Sequence, residues 1–226
     1  MLTISDDMLF GLSSNHLTQI SDKHALQKEA LNAWVAMKKS ANNAGFDLAL
    51  VSSFRSFERQ NHIWQRKFSG ELCVLDKSEK PVNLHSLSAF EQIKAIMLFS
   101  ALPGASRHHW GTDIDVYAPN LLSDGQSFNL TVSEYSNSGP FYELSMWLKE
   151  NAKDFGFGFP YDRYRGGVSE EPWHLSYMPI AGKLLPSLSP EKLASVIEHN
   201  RIAGYETVIE HIEELFTTFV SNVGAH

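Results

Sequence analysis

The chain has 226 residues, 43% hydrophobic, 12% aromatic and 20% charged, a balance that provides for a sizeable core and excludes wholesale disorder. Its formal net charge is −7 and no segment gathers Lys and Arg into a stripe, which excludes nucleic acid as an expected partner. A single cysteine, Cys73, excludes an internal disulfide framework and a cysteine-rich zinc knuckle, so any bound metal falls to His and carboxylates.

The first twenty residues, MLTISDDMLFGLSSNHLTQI, contain two early aspartates and neither a basic start nor an unbroken apolar run, so they do not read as a secretory signal. No apolar run approaches the roughly 20 residues of a membrane span. The expected location is cytoplasmic, or periplasmic or extracellular where a leader precedes the chain. From Ser21 to Asn43, Leu26, Ala30, Trp34, Met37 and Ala41 recur at helical spacing, with Gly45 as a stop. Asp47–Phe54, DLALVSSF, suits a buried strand, and Ser56–Lys67 turns helical again with Ile63 and Trp64 inward. Ser88 and Glu91 form a capping box for a helix running to about Ser100, ended by Pro103-Gly104.

Residues 106–117 carry the densest chemistry. Ile114, Val116 and Tyr117 give them strand character, and Gly111 marks a turn or a close backbone approach. Residues 118–139, rich in Asn, Ser, Asp and Gly, read as a long surface loop with room for a hairpin; the glycosylation triplet at Asn129 is treated as chance. Phe141, Leu144, Leu148, Ala152 and Phe155 describe an amphipathic helix ending at Gly156. The segment GFGFPYDRYRGG, residues 156–167, has no single period and reads as an ordered loop packed against something. Ser189-Pro190 starts one or two terminal helices through Leu193, Val196, Ile197, Val208, Ile212, Leu215 and Phe219. With no repeat, no linker and no regular β-α-β rhythm, the expectation is one α+β domain over residues 1–226.

A catalytic zinc ion takes three protein ligands and leaves a fourth position open. His108 and Asp115 are seven residues apart with Gly111 between them, so a bend can turn both toward one point, and His174 from a distant segment supplies a third ligand. Glu171, three residues before His174, is a carboxylate not spent on the metal and therefore the candidate general base. Arg55 is the candidate for a substrate carboxylate, because its planar guanidinium binds one in bidentate fashion.

These residues also carry a resemblance. Ser106-Arg107-His108-His109-Trp110-Gly111-Thr112-Asp113-Ile114-Asp115 and Glu171-Pro172-Trp173-His174 resemble the S-x-H-(six residues)-D and E-x-W-H pair of VanY-type D-alanyl-D-alanine carboxypeptidases, and residues 53–60 are similar to that family's S-x-Y-R-S-x-x-x-Q stretch. The resemblance covers about residues 45–180. It implies a Hedgehog/DD-peptidase-like fold shared with the LAS peptidases, in which a small antiparallel sheet flanked by helices carries the zinc site. It further implies one Zn²⁺ and removal of terminal D-alanine from peptidoglycan stem peptides, with His108, Asp115 and His174 as ligands and Glu171 as base. Arg55, Ser56 and Gln60 would line the pocket for the substrate's C-terminus, with Ser106 nearby. Two positions depart from the pattern: Asp113 replaces a small residue, either tuning the site or competing as a ligand, and Phe54 replaces a tyrosine.

Other readings stand beside these. A lysin-like endopeptidase would use the same ligands, and a non-catalytic zinc-stabilised binding module would need no Glu171. D,D- against L,D-specificity and the oligomeric state are left open. His109 is the rival of His108, and on a strand only one of the two neighbours can face the metal. Ser56 can equally cap the helix that follows it. Trp173 is assigned to packing, Glu58 and His62 to a solvated pair, and Cys73 to a free thiol.

Overall fold

The computed structural model describes residues 5–224. Helix α1 (Asp6–Leu9) is followed by a hairpin of β1 (Thr18–Ser21) and β2 (His24–Leu26), and only then by α2 (Lys28–Asn43). The helix expected from Ser21 therefore begins seven residues later. Its apolar stripe is as expected: Ala30, Trp34, Met37 and Ala41 are buried on one face. Next come β3 (Ala49–Ser52) and α3 (Phe57–Phe68), where the Ser56 hydroxyl accepts from the Arg59 N–H at 3.2 Å. Helix α4 (Ala89–Met97) carries both halves of the Ser88–Glu91 capping box and stops three residues short of Ser100.

Arg107–Trp110 forms a 3₁₀ turn closed by Gly111 in the left-handed region (φ 67°), and β4 (Asp113–Tyr117) follows directly. A Cβ at Gly111 would sit 2.3 Å from Leu17, so both the conformation and the close approach require glycine here. Residues 118–139 contain no hairpin. They form two 3₁₀ turns, Pro119–Leu121 and Val132–Tyr135, anchored where the buried Tyr135 hydroxyl donates to the Val116 carbonyl at 2.6 Å. Helix α5 (Tyr142–Asn151) ends in a 3₁₀ turn at Gly156, and the short strands β5 (Phe157–Gly158) and β6 (His174–Tyr177) frame the loop between them. The chain finishes with α6 (Met178–Leu184), α7 (Pro190–Asn200), α8 (Tyr205–Glu210), α9 (Ile212–Leu215) and a π-helical turn, Phe216–Val220.

Strands β3, β4, β6 and β5 make one antiparallel sheet in that order, an α+β arrangement with helices on both sides. Because side chains alternate along a strand, Ile114, Val116 and Leu175 point to one face, into a core with Trp34 and Met37 of α2 and Leu144 and Leu148 of α5. The opposite face carries Asp113, Asp115, His174 and Ser176. It looks toward a second hydrophobic cluster that includes Trp64, Ile96, Leu102, Trp110, Leu193 and Phe219. Polar side chains on this face are thus enclosed between two cores.

The loop at 156–167 is packed, as its composition suggested, and its cover is the C-terminal segment. The Gly224 N–H donates to the Pro160 carbonyl at 2.9 Å and the Asn222 amide to the Arg165 carbonyl at 3.0 Å. A Cβ at Gly167 would stand 1.9 Å from the Thr218 carbonyl, so the π turn can lie on this loop only because residue 167 has no side chain. Among the described residues no helix is long and apolar enough to cross a membrane.

Candidate metal centre and active site

The register of the sheet assembles the centre. Asp115 lies opposite His174 on β6 and opposite Ser52 on β3, while Asp113 lies opposite Ser176. Directly opposed residues of antiparallel strands have Cβ atoms about 5 Å apart, so one carboxylate and one imidazole meet without any loop having to position them. The 3₁₀ turn before β4 brings His108 to the same point. One donor atom each from His108, Asp115 and His174 lie within 4.8 Å of one another, and all three residues are buried.

Hydrogen bonds decide which ring nitrogen of each histidine faces the centre. The Nδ1–H of His108 donates to the Ser53 carbonyl at 2.9 Å, leaving Nε2 at 3.3 Å from Asp115 Oδ2. Burial lowers the His108 pKa, which favours the neutral ring, so an imidazole lone pair confronts a carboxylate oxygen. In His174 the roles are reversed: Nε2–H donates to Asp113 Oδ2 at 2.9 Å and Nδ1 faces Asp115 Oδ1 at 3.1 Å. Burial opposes protonation of this ring, but the hydrogen bonds and charges of Asp113 and Asp115 outweigh it and push its pKa up to about 10. Without a metal the His174 ring is therefore protonated and its Nδ1–H donates to Asp115, while the His108 lone pair faces Asp115 Oδ2 directly; both contacts call for positive charge at this point. A divalent cation meets that need, and two imidazoles with one carboxylate are a donor set that zinc takes.

Asp113 is not part of the donor cluster. It sits behind His174, where its carboxylate also accepts from Arg107 Nε at 2.7 Å, Thr112 Oγ1 at 2.8 Å and Ser176 Oγ at 2.8 Å, and Arg107 in turn donates to Ser176 Oγ at 2.6 Å. Of the two roles considered for it, the contacts are those of a residue that fixes the tautomer and ring plane of His174. Such carboxylate-to-imidazole support is the usual companion of a ligating histidine.

Glu171 is 8% exposed, and its Oε2 is 3.5 Å from His174 Nδ1. Its N–H donates to the Tyr161 carbonyl at 3.0 Å and its carbonyl accepts from the His174 N–H at 3.0 Å, which ties Glu171 and His174 into one turn. Burial pushes the Glu171 carboxyl up to about 7, with His174 and Arg55 pulling against it. That value suits a group that must both take and return a proton near neutral pH.

A cavity of about 340 Å³ opens onto these groups. Arg55, Ser106, His108, Asp115, Glu171 and His174 all line it, together with Tyr161 and Trp173. Arg55 Nη2 lies 3.8 Å from Asp115 Oδ2, and the guanidinium donates to Gln60 Oε1 at 2.7 Å and Ser52 Oγ at 3.0 Å. Gln60 is fully buried and does not line the cavity; it holds Arg55 and donates its own amide to the Ala101 carbonyl at 2.7 Å. Ser56 likewise stays outside the cavity wall and caps α3. Sequence reasoning missed Arg107, the Ser53 carbonyl, Lys67, Tyr161 and the pair Phe219 and Val220, all of which line the cavity or hold a residue that does. Only Arg107 had a signal, since it stands next to a ligand inside the motif.

His109 points away from the centre. Its Nε2 accepts from the Gly104 N–H at 3.0 Å and its Nδ1–H donates to the Arg55 carbonyl at 2.6 Å. This pattern demands a neutral ring, and burial takes the pKa down to about 3. The side chain staples the loop bearing Arg55 to the Pro103-Gly104 turn. His109→Phe leaves both backbone groups unpaired, so denaturant unfolding is expected to reveal a loss on the order of 2–4 kcal/mol. Stability equal to the parent protein would mean that the two groups find other partners.

The family model described as VanY, D-alanyl-D-alanine carboxypeptidase, matches residues 23–180. An uncharacterized protein of Haemophilus influenzae is 40% identical over 121 residues, which are 53% of this chain and 92% of that one. Among solved structures, a mutant of the vancomycin resistance D,D-pentapeptidase VanY in complex with Zn(II) is 24% identical with a TM-score of 0.53, covering 74% of this chain and 82% of that one. VanYB in complex with D-alanine-D-alanine is 22% identical with a TM-score of 0.55, covering 82% and 90%. At these identities the two structures speak for the fold, and it is the fold described above.

Proposed function

Since the chain belongs to the VanY family of D-alanyl-D-alanine carboxypeptidases, we propose that it hydrolyses the C-terminal D-alanine from peptidoglycan stem peptides in a zinc-dependent reaction. The observation that carries this reading is the convergence of His108, Asp115 and His174 within 4.8 Å, with Glu171 left over beside them. A purely structural site needs no such spare carboxylate.

His108 through Nε2, Asp115, and His174 through Nδ1 would hold the ion. When bound, Zn²⁺ supplies Lewis acidity toward a carbonyl oxygen and acidifies water. The chain's own groups supply the rest. Glu171 Oε2 takes one proton from the attacking water as its oxygen bonds to the scissile carbon, then returns that proton to the leaving amine nitrogen as the C–N bond breaks. Arg55, oriented by Gln60 and Ser52, offers its remaining N–H donors to the substrate. Asp113 and the Ser53 carbonyl keep the two imidazoles turned the right way throughout.

The test is direct. Zinc-loaded protein incubated with tetra- and pentapeptide stems should release D-alanine, detected by mass spectrometry; a chelator should stop the release and added Zn²⁺ restore it. No amino acid released from any stem overturns the proposal, and equal cleavage of peptides with a blocked C-terminus replaces it with the endopeptidase reading.

A further inference from the structure

Arg55 is not the only cation in the cavity. Lys67, on the last turn of α3, lines the same space, and its ammonium donates to Ser100 Oγ at 2.6 Å. Burial lowers its pKa, with the charge of Glu171 opposing the shift. Among the described residues no carboxylate lies within ion-pairing distance of it.

That makes Lys67 unlike the other cations of the site. Arg107 is matched by Asp113 at 2.7 Å, and Arg55 has Asp115 at 3.8 Å. A half-buried ammonium held by one hydroxyl has two donors to spare and lacks a partner anion, a state that an incoming anion relieves. Arg55 stands close to a metal ligand, where the reacting carbonyl group must come. A terminal carboxylate lies one residue further along the substrate. Ile63, Met97, Leu102 and Val220 add apolar surface to the same cavity, suited to a methyl side chain.

We propose that Lys67, fixed by Ser100, is a specificity-determining residue that binds the substrate's terminal carboxylate and so sets the preference for free over blocked C-termini. The inference rests on the carboxypeptidase reading of this cavity.

The experiment compares a stem pentapeptide ending in free D-alanine with its C-terminal amide, on the parent protein, Lys67→Met and Lys67→Arg. In Lys67→Met, kcat/KM for the acid should fall about tenfold or more, chiefly through KM, while the value for the amide stays within about twofold and Lys67→Arg recovers part of the loss. Equal losses on acid and amide, or no loss on the acid, overturn the assignment. Binding of both peptides is measured in parallel by calorimetry on zinc-loaded proteins that also carry Glu171→Gln, so the result does not depend on turnover. Should the parent protein bind the peptides without cleaving them, the peptidase reading fails, and Lys67 is still judged: an acid-over-amide preference lost in Lys67→Met supports it, and one that survives overturns it.

Discussion

Glu171→Gln is expected to keep its metal and lose at least about a hundredfold in kcat, the range over which a positioned general base contributes. Glutamine has the same shape and leaves the backbone bonds to Tyr161 and His174 undisturbed, so the turn that carries His174 is retained. What disappears is the capacity to accept a proton beside His174 Nδ1. Metal content by elemental analysis and stem-peptide hydrolysis, measured on the same preparation, separate the two effects. Full activity in Glu171→Gln would assign the base to another group, and loss of metal would move Glu171 among the ligands.

Replacing Asp113 should strike both stability and metal affinity. The side chains of Asp113 and Arg107 are 0% and 3% exposed, and a buried pair broken from one side strands the other charge, at a cost of about 3–5 kcal/mol. Asp113→Ala is therefore expected to lose that much in denaturant unfolding of the metal-free protein. Zinc affinity, read by chelator competition, should fall about 10–100-fold as His174 loses the partner of its Nε2–H. Adding Arg107→Met should restore much of the stability by removing the stranded charge, while leaving the affinity low. If both quantities recover together, Asp113 acts only by neutralising Arg107 and not by orienting His174.

The trio His108, Asp115 and His174, with Glu171, was legible because two spacings and a residue type had to agree at once, and strand pairing brings those positions together. Asp113 was half legible. Two residues before Asp115 on a strand means the same face, which the alternation rule already contains, but the partner that makes sense of it, Arg107, lies in a turn whose geometry the rule does not cover. His109 illustrates the same limit. It was expected to diverge from His108 by strand alternation; the divergence comes instead from a 3₁₀ turn, in which neighbouring side chains are about 120° apart. The hairpin of β1 and β2 went unseen because strands of four and three residues carry too little pattern against a helical stripe that begins at Leu26. Strand β5, two residues long, has no pattern at all. Lys67 reaches the cavity from the far end of α3 through tertiary packing, for which no local periodicity exists.

The π turn at 216–220 has a bearing on how such a protein can change. Phe219 and Val220 wall the cavity, yet they lie some forty residues beyond the stretch that matches the family, and Gly167 is what lets them approach. The candidate catalytic groups and part of the cavity wall are thus written in separate parts of the gene. Exchanges near the tail can reshape the cavity wall and leave His108, Asp115, His174 and Glu171 untouched, so under the proposed function the C-terminal region is where kin with the same chemistry would be free to diverge in diet.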